Sequence, residues 1–119
     1  MLFRSGAAEF YVSVFPESRI DSVARAAVDT PFMKAGEVLS VDFTLLGGRF
    51  VAIAGGAQFP FSEAISFQID CADQAEVDHF WEGLVAGGGE HGRCGWLKDR
   101  FGLSWQVNPR EMKIGRAHV

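Results

Sequence analysis

Cys94-Gly95-Trp96-Leu97-Lys98-Asp99-Arg100-Phe101-Gly102-Leu103-Ser104-Trp105-Gln106-Val107 decides the fold, and it closes a longer segment, residues 62–109. Its last part, residues 103–107, alternates apolar and polar side chains, the period of a half-buried strand. A second alternating run opens the segment over residues 63–71, with Ile65, Phe67 and Ile69 facing one way and Ala64, Ser66 and Gln68 the other. Between them lies a helix. Asp73 stands at its N-cap with Glu76 three residues on, in capping-box register. Val77, Phe80, Trp81 and Leu84 then fall on one helical face, and Gly87 to Gly89 stop it. Residues 91–101 read as a hairpin-like link into the final strand, which Asn108-Pro109 ends. The order is strand, helix, strands.

Outward toward the start, the pattern is similar. Residues 7–15 carry Ala7, Phe10, Tyr11, Val14 and Phe15 at helical spacing, and Pro16 ends that helix. Residues 19–27 give a weak strand, and residues 29–36, with Pro31 and Gly36, a loop. Residues 38–45 alternate cleanly, with Leu39, Val41, Phe43 and Leu45 on one face and Ser40, Asp42 and Thr44 on the other. Gly47 and Gly48 supply the positive φ that a tight hairpin needs. The return strand, residues 50–54, is almost wholly apolar and is expected to be covered on both faces. Gly55-Gly56 ends it, and Pro60 lies in the connector. The second half is thus one βαβββ unit, and the first is the same unit without its opening strand. The expected fold is α+β: two βαβββ repeats, about 6–56 and 62–109, forming one curved, mostly antiparallel sheet of a single domain spanning 6–113.

At 119 residues, 48% of them apolar with eleven Phe and three Trp, the chain has the material for a single core. No apolar run approaches the roughly 20 residues that span a bilayer, and no secretory signal pattern opens the chain, so it is read as cytoplasmic with no membrane partner. Net charge is −4 with Lys and Arg dispersed, which argues against nucleic acid. Cys71 and Cys94 are read as reduced thiols in that compartment. Residues 1–5 and 114–119, including Leu2-Phe3-Arg4-Ser5 and Ile114-Gly115-Arg116-Ala117-His118-Val119, resemble translated sequencing adapters and are set aside as non-native ends.

Glu9-Phe10-Tyr11-Val12-Ser13-Val14-Phe15-Pro16-Glu17-Ser18-Arg19-Ile20, Glu63-Ala64-Ile65-Ser66-Phe67 and the run from Cys94 to Val107 together resemble the PhnB-like branch of the vicinal oxygen chelate superfamily, the glyoxalase and bleomycin-resistance fold. Many members carry the name 3-demethylubiquinone 3-methyltransferase. That activity is not transferred, because no strand-to-helix glycine loop suited to S-adenosylmethionine is present. The resemblance implies a homodimer, and a divalent metal held by four His, Glu or Gln side chains, two per repeat. The first would stand on an opening strand that this sequence lacks, the second has no match in residues 50–56, the third falls near Ala64 and the fourth near Gln106. One donor of four does not make a metal site, so neither a catalytic metal nor another cofactor is expected.

The remaining polar candidates each have two readings. Gln106 can orient a ligand in the cleft or pair with a neighbour in the sheet. Cys94, three residues after His91 and beside Glu90, is an activated thiol, half of a metal site or a structural residue of a turn. Trp96, Phe101 and Trp105 can line a cleft for a flat molecule or pack in the core. Ser66 and Ser104 have no His and acid partner at a recognisable spacing, so nucleophilic catalysis finds no support. The glycines of residues 87–92 follow a helix and so do not build a phosphate cradle at its N-terminus. His79 lies on the outer face of its helix. The ligand-cleft candidates are therefore Gln106, Trp96, Trp105, Ser66, Phe101 and Cys94, with no catalytic residue named. The expected function is metal-independent binding of a small molecule; the alternative is a lyase, isomerase or dioxygenase-like enzyme acting on a small oxygenated metabolite.

Overall fold

A computed structural model describes residues 2–53 and 60–110, with side chains from Gly6 onward, and divides the chain into two compact units, Met1–Phe59 and Pro60–Val119. The first unit runs α1 (Leu2–Val14), β1 (Ser18–Arg25), β2 (Val38–Leu45) and β3 (Gly48–Ile53). The three strands form an antiparallel sheet in the order β1-β2-β3. Helix α1 covers one face, burying Ala8, Tyr11, Val14 and Phe15 against Val41, Phe43 and Leu45, and Tyr11 stacks on Phe43 with ring centroids 6.4 Å apart. The helix starts five residues before the expected boundary, because nothing in residues 2–6 stops a turn that packing has already nucleated. Its C-terminal carbonyls are served by Ser18, whose Oγ lies 2.9 Å from Val12 O and 2.6 Å from Phe15 O.

Three details of this unit differ from the sequence reading. Strand β3 is covered on one face only: Phe50 stacks on Phe43 at 5.7 Å, while Val51 and Ile53 on the other face are 58% and 67% exposed. One helix shields one face, so an apolar run in the outermost strand does not imply two layers. At the hairpin the left-handed residues are Leu46 (φ 50°) and Gly47 (φ 82°), whereas Gly48 already pairs with Leu45 in the sheet. Leu39, expected inside with Val41, is 42% exposed beside a register shift between Ala24 and Arg25.

The second unit runs β4 (Ser66–Cys71), α2 (Gln74–Val85), β5 (Glu90–His91), β6 (Trp96–Lys98) and β7 (Ser104–Pro109), and its sheet has the order β4-β7-β6-β5. Strands β4 and β7 pair in parallel and the others antiparallel. Helix α2 is capped as expected: Asp73 Oδ1 accepts Glu76 N–H at 2.9 Å and Glu76 Oε1 accepts Ala72 N–H at 3.3 Å. Phe80 and Leu84 carry its buried face onto Ile69, Cys71, Leu97, Trp105 and Val107. Arg100 closes the far end, its Nε donating to Ala86 O at 3.0 Å where the helix dipole is negative. Residues 63–65, expected in strand β4, instead form a turn held by Ala64 N–H to Ser62 Oγ at 3.0 Å. Strand β7 runs on through Asn108 and Pro109, since parallel pairing with β4 continues to Cys71 and Pro109. The class is α+β, with two helices and two sheets.

No helix among the described residues is long and apolar enough to cross a membrane. Residue 54 and the ends from 111 onward, on which the return-strand limit and the adapter-like tail fall, lie outside the described residues.

Candidate functional site

Each sheet has one face under a helix and one face turned away from it, and the polar side chains gather on the latter. In the second unit that organisation starts at the turn from β6 to β7. Asp99, 3% exposed, accepts Phe101 N–H at 2.9 Å and Leu103 N–H at 3.1 Å on Oδ1, and Trp105 Nε1–H at 2.9 Å on Oδ2. One carboxylate thus fixes the turn and pins the indole of Trp105 in the core. With Trp105 facing the helix, strand alternation turns Ser104, Gln106 and Asn108 the other way, and register adds Trp96 and Lys98 from β6 and Ser66 and Gln68 from β4.

Gln106 Nε2 donates to Ser66 Oγ at 2.9 Å across the parallel pair, and Trp96 is the register partner of Gln106. In the next row Glu90, Lys98 and Ser104 lie side by side on β5, β6 and β7. Lys98 forms an ion pair with Glu63, which reaches in from the turn before β4. The hydrogen bond and charge of Glu63, with a further contribution from Glu90, hold the Lys98 ammonium above its ordinary pKa, and Lys98 in turn holds the Glu63 carboxyl below the usual carboxylate range. Over this row is a cavity of about 230 Å³ lined by Glu63, Glu90, Gly92, Trp96, Lys98 and Ser104, with His91 and Leu97 completing it. His91 is fixed from below, stacked on Trp81 at 4.2 Å with Nε2 3.1 Å from Trp81 O.

The first unit has its own polar face. A register shift between Ile20 and Ser22 makes Asp21 a bulge residue, so Asp21 and Ser22, adjacent in sequence, both reach the face away from α1. Asp21 accepts Thr44 Oγ1–H at 2.6 Å and Arg19 Nε–H at 2.7 Å, while Ser22 Oγ donates to Asp42 at 2.9 Å. The Thr44 hydroxyl above all, helped by Arg19 and the charge of Arg49, keeps the Asp21 carboxyl below its ordinary pKa against the desolvation that opposes it.

Of the six cleft candidates, the structure brings together Gln106, Ser66 and Trp96. Trp105 is 4% exposed, tilted against Phe67 at 5.5 Å and turned toward the helix, so its expected place in a cleft gives way to a core role. Phe101 sits half-buried in the Asp99 turn, and Cys94 is exposed at the tip of the β5–β6 hairpin with φ 54°. Both cysteines are free thiols. Cys71 is buried, and desolvation, followed by the charges of Glu76, Asp70 and Asp73, pushes its thiol up to about 11. Missing from the sequence reading were Glu63, Glu90 and Lys98. Trp96 and Lys98 two residues apart share a strand face, but a strand of three residues is too short to show a period.

Among the described residues no three His, Cys, Asp or Glu side chains converge, Ala64 lies in a turn with no donor atom, and Gln106 donates through Nε2 to Ser66 Oγ.

A helix laid over one face of each sheet, with a polar face left on the other side, defines an α+β protein built of two helix-covered sheets. The PhnB protein from Bacillus cereus is similar to it with a TM-score of 0.72 and 29% identity, over 88% of this chain and 89% of that one. Protein PA1353 from Pseudomonas aeruginosa shares the fold, with a TM-score of 0.64 and 14% identity over 87% of this chain and 86% of its own. No curated protein matches. The family model described as 3-demethylubiquinone-9 3-methyltransferase matches residues 4–108, and the chain belongs to that PhnB-like family.

Proposed function

We propose that this chain binds a small molecule without a catalytic metal, as a cytoplasmic member of the vicinal oxygen chelate superfamily. The observation that carries this reading is the cavity over β5, β6 and β7, walled by Trp96 and equipped with Lys98, Glu63, Glu90 and Ser104. An aromatic side chain beside convergent polar groups is one feature of ligand sites, and here the polar groups predominate. Gln106 and Ser66, hydrogen-bonded in the adjoining row, would orient a ligand as fixed amide and hydroxyl groups. The reading treats the two units as repeats of one βαβββ plan, and the element orders, helix then three strands and strand, helix then three strands, support it. The family resemblance adds a homodimer, which light scattering on the eluting protein measures directly.

The test is calorimetric titration of the chelator-treated protein against a library of one- and two-ring oxygenated compounds. Saturable binding that weakens at least tenfold in Trp96→Ala, with no dependence on added Zn, Ni, Mn or Fe, is the expected result. Stoichiometric metal by elemental analysis, together with metal-dependent turnover of such a compound, would overturn it in favour of an enzyme.

A further inference from the structure

We infer that the cavity over β5, β6 and β7 selects a ligand that carries a protonated amine next to an aromatic ring; this rests on the reading of that cavity as a ligand site. The charges lining it are Glu63, Glu90 and Lys98. Glu63 and Lys98 neutralise each other in an ion pair. Glu90, the register partner of Lys98, feels that ammonium through space, and no hydrogen bond is recorded to its carboxylate among the described residues. The charged groups of the lining are therefore net negative, which favours a cationic occupant over an anionic one.

The aromatic half follows from the same register. Trp96 stands two residues before Lys98 on β6, which makes it the diagonal neighbour of Glu90, roughly 7–8 Å away across an antiparallel pair. Opposite Trp96 is Gly92, whose N–H donates to Trp96 O at 2.7 Å and which has no side chain to share the indole's surroundings. Glu90 and Trp96 are thus neighbours on one sheet face, so an ammonium at Glu90 and a ring against Trp96 fit in one small molecule, and the indole face also attracts the cation itself. Ser104, 1% exposed at the floor, adds a hydroxyl at the same row.

The experiment titrates the full chain, by NMR or calorimetry at low ionic strength, with three probes: tryptamine, indole and indole-3-propionate. The expected order is tryptamine, then indole, then the anion, with tryptamine bound roughly fivefold tighter than indole. Glu90→Gln should bring the ratio of tryptamine to indole affinity from roughly fivefold down to about one, and Glu90→Lys should invert the order of tryptamine and indole-3-propionate. Equal binding of all three probes, or a preference for the anion, overturns the charge assignment while leaving the cavity as a ligand site. Saturation by none of them overturns the cavity reading and the inference with it.

Discussion

Asp99 shows how much a single residue organises. Its carboxylate takes two backbone N–H groups and the Trp105 indole N–H, so removing it strands three donors in a buried turn. Asp99→Ala is expected to lower stability by about 3 kcal/mol, and Asp99→Asn, which keeps an acceptor for the two backbone groups, by less; urea denaturation followed by tryptophan fluorescence measures both. Cys71 gives a pH signature. Its thiol, pushed up to about 11 from 9.0, keeps its proton more tightly in the native chain. A raised native pKa stabilises fully below pH 9.0 and loses that contribution as pH rises through about 11. Melting temperatures of Cys71→Ser should therefore fall less steeply than those of the native chain across that interval. Neither role was legible in the sequence: an Asp in a turn is ordinary, and its bond to the indole depends on Trp105 folding back from six residues away.

Elements were legible in proportion to their period. Strand β2 falls on residues 38–45 as its alternation requires, and α2 starts after Asp73 as its cap requires, because both signals are local and repeat several times. Strands β5 and β6, of two and three residues, repeat too little to be seen. The bulge at Asp21 and the ion pair from Glu63 to Lys98 depend on which strands become neighbours, information that no stretch of chain contains. The β2–β3 and β5–β6 hairpins each place a non-glycine residue in the left-handed region, Leu46 (φ 50°) and Cys94 (φ 54°), each followed by Gly. Leu46 is exposed and its side chain opposes that backbone. Leu46→Asn is expected to stabilise the first unit by about 0.5–1 kcal/mol, a gain read as a shift of the urea midpoint at unchanged slope.

For the whole molecule, two cores under two helices account for the apolar composition, and the family follows from residues 4–108. The class α+β was accessible from sequence because strand, helix and glycine punctuation survive without any tertiary knowledge. Of the expected cleft residues, Trp96, Ser66 and Gln106 share one sheet face because they stand as polar or aromatic breaks in apolar strands, while the charged residues around them looked like ordinary surface. Net charge works at this scale as well. With a formal charge of −4 and no basic stripe, the protein should pass through a heparin column at physiological salt. Retention there would reveal a cationic surface that the dispersed Lys and Arg do not suggest.

The contrast between the two cysteines has a practical consequence. Cys94 projects at the hairpin tip two residues from Trp96, whereas Cys71 is sealed beneath α2 with its proton firmly attached. A maleimide fluorophore or nitroxide added to the unmodified chain would attach at one known point, giving a reporter beside the β5–β6 hairpin with no engineering of the sequence.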